Sequence, residues 1–85
     1  MNCYLNNSNE YIVVYFSGER FEDDITLLTV DAFYSALKSG LFKHSLYVGI
    51  GTDTLEDAKI LYKEIFADKH FGEEIEDKYI DIITR

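Results

Sequence analysis

Six consecutive residues, Tyr11-Ile12-Val13-Val14-Tyr15-Phe16, constrain this chain more than any other stretch. Each is β-branched or aromatic, the kind of side chain that suits a pleated strand. A strand with one wet face alternates apolar and polar residues. This run does not alternate, so it predicts a strand buried on both faces and therefore central in its sheet. With 85 residues, the chain has room for one domain of modest stability around such a strand, not two.

The flanking segments supply the rest of the expected sheet. Met1 to Leu5 alternates apolar and polar residues, and Asn6-Asn7-Ser8-Asn9 is a concentrated turn signal, so the first two segments read as a β-hairpin. Gly18 to Asp24 reads as an acidic loop. Val30, Phe33, Tyr34, Leu37 and Leu41 then recur at helical spacing, with Thr29 or Thr26 to cap the start and Lys38-Ser39-Gly40 to stop it. Ser45 to Ile50 predicts another strand. Asp53…Glu56 and Thr54…Asp57 are two overlapping capping boxes. They open a helix whose stripe is Leu55, Ala58, Leu61, Tyr62, Ile65 and Phe66, ending over Asp68 to Gly72. The tail fits helix or strand, and its isoleucines at 80, 82 and 83 favour a strand from about Lys78. The expectation is an α+β domain over residues 1–85, roughly β-β-α-β-α-β, with a mainly antiparallel sheet and two helices on one face.

Charge excludes more than it identifies. Sixteen Asp and Glu against eight Lys and Arg leave a net charge of −8. That opposes direct nucleic-acid binding and docking on anionic membranes, both of which need clustered cations. No stretch reaches the apolar length of a membrane span, and Met1 to Asn6 lacks the pattern of a signal peptide. The single cysteine, Cys3, has no partner for an internal disulfide. A cytoplasmic protein is expected, in the host cytoplasm if phage-encoded.

The motifs that carry chemistry are incomplete. Gly49-Ile50-Gly51 follows a strand and precedes a helix, the setting of a dinucleotide fingerprint, but Thr54 stands where the third glycine belongs and Asp53 would oppose a pyrophosphate. A tight, well-capped strand-to-helix turn is the simpler reading. His44 and His70 lack metal-ligand spacing, and no Cys-x-x-Cys, zinc-protease or EF-hand pattern occurs. Ser17 lacks a nucleophile elbow, and Cys3 reads as a small core residue. The expectation is a non-enzyme without cofactor or metal.

Three acidic clusters stand above this background: Glu19, Glu22, Asp23 and Asp24; then Asp53, Glu56 and Asp57; then Glu73, Glu74, Glu76, Asp77 and Asp81. Acidic residues favour helix starts and keep small proteins soluble. Interleaved with rings, they can also imitate a phosphate backbone and fit a basic groove, with aromatic anchors supplying affinity. Seven Tyr and six Phe are too many for so small an interior, so some rings are expected outside. Tyr11, Tyr15, Phe21, Tyr47 and Tyr79 are the rings to follow, with Tyr15 and Tyr47 expected in the packing. In size and charge the chain resembles small DNA-mimic inhibitors of phage and mobile elements, such as anti-restriction and anti-CRISPR proteins, and also immunity proteins against basic nucleases. It carries no motif of either.

The expected function is therefore inhibition by occupancy. An acidic face formed by Glu19, Phe21, Glu22, Asp23, Asp24, Glu73, Glu74, Glu76, Asp77 and Tyr79 would dock on a basic protein partner, such as a nucleic-acid-binding enzyme. The alternative is a homo-oligomeric structural or adaptor domain, in which surplus apolar surface or the sheet edge builds a homodimer or joins a larger assembly.

Overall fold

Tyr11–Gly18 forms the strand that the apolar run predicts, and it lies third in a five-stranded sheet. In the computed structural model the elements are β1 (Asn2–Tyr4), β2 (Tyr11–Gly18), β3 (Phe21–Thr29), α1 (Val30–Ser39), β4 (Ser45–Thr52), α2 (Leu55–Lys69) and β5 (Ile82–Ile83). The structure describes residues 2–18, 21–43, 45–69, 72, 74–76, 80 and 82–83. Strand order is β1-β4-β2-β3-β5. β2 is antiparallel to both its neighbours, whereas β1 joins β4 and β5 joins β3 in parallel. The class is α+β, as the sequence predicts, and the two long pairings are antiparallel.

Ile12, Val13 and Val14 are all 0 % exposed, but they do not share a core. Ile12, Val14 and Phe16 pack with Ala32 and Phe33 of α1 and with Phe42. Val13 packs with Ile25 and Leu27 of β3, Ala58 and Tyr62 of α2, and Ile80. The helices therefore lie on opposite faces, which corrects the expectation of one covered face. The connection from β3 through α1 to β4 steps across β2 in one direction, and that from β4 through α2 to β5 steps back in the other. Crossovers between parallel strands are right-handed. Two right-handed crossovers that step in opposite directions put their helices on opposite sides of the sheet, and the unbroken apolar run of β2 is what each side requires.

Two local readings are also corrected. The first pair of segments is not a hairpin, because β3 and β4 occupy both edges of β2 along its length. β1 is left with the outer edge of β4, where Cys3 sits opposite Gly49. The Asn6–Asn9 turn straddles the end of β4, and the Glu10 N–H then donates to the Thr52 carbonyl at 3.0 Å. Nor is Gly18 to Asp24 a loop throughout: Gly18 ends β2 and Phe21 to Asp24 already belongs to β3, with Asp24 opposite Phe16. Acidic residues are disfavoured in strands in general, yet here the period-two burial of Ile25 and Leu27 continues the strand beyond them.

The helix signals act much as expected. Thr29 Oγ1 accepts from the Ala32 N–H at 3.2 Å, and Gly40, at φ 81°, ends α1 with its N–H donated to the Ala36 and Leu37 carbonyls. The buried side of α1 is Ala32, Phe33, Ala36 and Leu37, while Tyr34 and Leu41 are exposed. For α2, Leu55, Ala58, Leu61, Tyr62, Ile65 and Phe66 all reach the core, as the stripe predicts. The tail contributes Ile80 to the α2-side core and the short strand β5.

Candidate functional site

Strand directions fix which acidic groups share an end of the molecule. β3, β4 and β5 run the same way, so the start of β3, the end of α2 and the segment leading into β5 lie at one end of the sheet. Of the first and third acidic clusters, the carboxylates described towards this end are Asp24, opposite Phe16 on the α1 face, and Glu74 and Glu76, on the α2 side. Asp24 is exposed near the start of β3. Glu74 and Glu76 are exposed on either side of Ile75, which packs against the α2-side core and so ties the acidic segment to the fold. A shallow groove of about 390 Å³ runs between them and α2, lined by Lys63, Ala67, Gly72, Glu74 and Ile75. Lys69, at the end of α2, places its ammonium 4.9 Å from the centre of the Tyr15 ring.

Asp53, Glu56 and Asp57 lie at the other end, beside the start of α2. The two capping boxes do not share the work there. Thr54 Oγ1 accepts from the Asp57 N–H at 3.1 Å, whereas Asp53 turns to the loop between β1 and β2. Its carboxylate accepts from Ser8 Oγ at 2.9 Å and from Asn9 Nδ2 at 2.7 Å. At this same end a crevice of about 350 Å³ is lined by Asn9, Glu10, Tyr11, Thr29, Val30 and Asp31. Open α/β sheets commonly bind ligands at such a point, where successive connections leave for opposite faces. Glu10 and Asp31 in its lining and Asp53 near by oppose a phosphate.

The Gly49-Ile50-Gly51 motif lies within β4, not in the turn after it. A Cβ on Gly51 would fall 2.5 Å from Leu5 Cδ2 and in collision with Asn9 Oδ1; one on Gly49 would fall 2.7 Å from Ile12 Cδ1. These glycines make room for the loop that straddles β4 and for the packing of Ile12. Among the described residues, no group of three His, Cys, Asp or Glu is placed to hold a metal ion, and no helix is long and apolar enough to cross a membrane. Ser17 is half-buried in β2. Cys3 is half-buried against the α1-side core, and burial pushes its thiol pKa upward.

Of the residues expected at the partner face, Asp24, Glu74 and Glu76 are exposed at one end. Glu22, Asp23 and Phe21 belong to β3 by their backbone, and their side chains lie outside what the structure describes. Glu19, Glu73, Asp77 and Tyr79 lie outside the described residues, as do His44, His70 and Asp81. Tyr11 and Tyr15 are half-buried in the α2-side core and Tyr47 in the α1-side core, so these rings serve packing. Among the described residues the exposed large apolar ones are Tyr4, Tyr34, Leu41, Leu46, Val48 and Ile60. Sequence reading missed Leu46 and Val48 because an apolar strand segment looks the same whether or not a helix reaches it.

Compared with known protein families, curated proteins and solved structures, the chain matches none of them.

Proposed function

We propose that this chain is a non-enzymatic inhibitor of the phage or mobile-element kind, acting in the cytoplasm. Its acidic end occupies the basic groove of a nucleic-acid-processing or defence protein and blocks nucleic acid by occupancy. One observation supports the reading: Asp24 near the start of β3 and Glu74 and Glu76 in the segment that follows α2 are exposed towards the same end of the sheet. Carboxylates on a strand start and on a segment tied down by Ile75 lose little freedom on docking, which favours affinity as well as encounter rate.

The test uses a variant carrying Glu73→Lys, Glu74→Lys, Glu76→Lys and Asp77→Lys. The parent chain, immobilised, is expected to retain a basic nucleic-acid-processing protein from a lysate and release it at moderate salt. Added free, it is expected to displace nucleic acid from that protein. The reversed variant is expected to bind at least ~100-fold more weakly, since like charges across an interface cost several kcal/mol. Equal inhibition by the reversed variant overturns the assignment.

A further inference from the structure

We propose that two copies of this chain pair through the outer edge of β4, with the exposed stripe Leu46, Val48 and Tyr4 as the contact. The stripe follows from the path of α2. In β4, Leu46, Val48 and Ile50 stand opposite Ser17, Tyr15 and Val13 of β2 and share their face, the α2 side. Tyr4, opposite Ile50, continues the row onto β1. α2 leaves the end of β4 and must finish beyond β3, at the start of β5, so it crosses the sheet obliquely and abandons β4 on the way. Exposure rises as the helix departs: Ile50 is half-buried, Val48 is 38 % exposed and Leu46 is 83 % exposed. Tyr4 is 67 % exposed.

Backbone pairing is open at the same place. Ser45 to Tyr47 pair with β2 on one side, while among the described residues β1 takes the other side of β4 only from Val48 to Ile50. The Ser45 N–H is already donated to the Phe42 carbonyl at 3.1 Å, so the stretch of edge left beside the exposed side chains is short, and a strand edge of this kind is a template for another strand.

Charge selects the occupant. Residues 2–9 and 41–52, which supply β1 and β4, contain none of the sixteen carboxylates and carry Lys43, and the carboxylates of the same face stand on α2, which leaves β4 before Leu46. A cationic partner has nothing to recognise there. A second copy does, because this is the approach that keeps β3 and its carboxylates on the outside of the pair. A two-fold contact sets the apolar stripe of one copy against the same stripe of the other. The inference does not depend on the inhibitor reading.

Sedimentation of the full chain from about 10 μM to about 1 mM, the range in which small interfaces dissociate, tests it. The expected result is a monomer–dimer equilibrium that strengthens from about 0.15 M to about 0.5 M salt, as repulsion between acidic molecules is screened. Leu46→Lys is expected to weaken the dimer at least ~10-fold, the level of a central interface residue, and Val48→Thr to weaken it less. Ile60→Ser, at an exposed apolar position on α2, is expected to leave it within about twofold, as surface changes away from a contact do. Unchanged far-UV dichroism and melting temperature confirm that each variant is folded. A chain that stays monomeric throughout at both salts, or a dimer that ignores Leu46→Lys, overturns the proposal. So does a monomer whose Leu46→Lys variant loses a heterologous protein instead, since the occupant is then not a second copy.

Discussion

Gly51 shows how one residue serves a topology. The loop from β1 to β2 has to pass over the end of β4, and it does so where β4 has no side chain. Asn9, which would meet a Cβ there, is already fixed: its Oδ1 accepts from the Asn6 N–H at 2.8 Å and its Nδ2 donates to Asp53. It cannot move aside cheaply. Gly51→Ala is therefore expected to destabilise the fold by about 1–3 kcal/mol, the usual cost of overpacking. Thermal unfolding checks this, since each kcal/mol moves the midpoint of a domain this small by roughly 4–8 °C. An unchanged midpoint would mean that the loop yields.

Cys3 makes a second prediction, through pH. Burial raises its thiol pKa above the ordinary 9.0. A group whose folded pKa exceeds its unfolded pKa contributes stability that is fully present below the unfolded value. That contribution is lost as pH rises through the folded value. On going from pH 8 to above pH 9.0 the parent is thus expected to lose more of its urea resistance than Cys3→Ser does. The comparison with the variant isolates the contribution of the thiol. Ellman's reagent is likewise expected to react more slowly with the native protein than with the unfolded chain.

At the scale of elements, the caps decide where the helices begin, and this much is visible in the sequence. Thr29 and Thr54 each accept from an N–H three residues on, at 3.2 and 3.1 Å. Thr54→Ala is expected to cost about 1 kcal/mol. Asp53→Ala, by contrast, is expected to loosen the Asn6–Asn9 loop with little effect on α2, because its carboxylate is spent on Ser8 and Asn9. Hydrogen exchange distinguishes the two: faster exchange at the α2 amides in the first variant, and at the loop amides in the second. Both capping boxes looked equal in sequence because spacing carries no information about a loop that is 44 residues away along the chain. β3 was illegible for a related reason. Glu22, Asp23 and Asp24 have the composition of a loop, and what makes a strand of them is the partner edge of β2, with Asp24 set opposite Phe16.

At the scale of the whole molecule, the governing fact is a charge of −8 on 85 residues. Like charges destabilise the compact state through self-repulsion, and salt relieves it. The melting temperature is expected to rise by a few degrees between about 0.02 M and about 0.5 M salt. A fall over that range would show that attractive surface pairs outweigh the repulsion. Topology distributes the charge: among the described residues Asp24, Glu74 and Glu76 fall towards one end, Asp53, Glu56 and Asp57 towards the other, and β1 and β4 carry no carboxylate. Sequence reading could name the clusters but could not place them, because their neighbours in space depend on strand order.

What the sequence determined by itself is local or periodic. The apolar run that makes β2 central, the threonine caps, the glycine that ends α1 and the stripe of α2 all express preferences acting over a few residues, so they are written where they act. What the tertiary structure decided is directional. The order β1-β4-β2-β3-β5 makes the two crossovers step opposite ways, and their right-handedness then sends α1 and α2 to opposite faces. From that follow the two cores, the loop across Gly51 and the uncovered stripe at Leu46. Each depends on which strand lies beside which, a matter of long-range pairing and handedness that no short window of sequence contains.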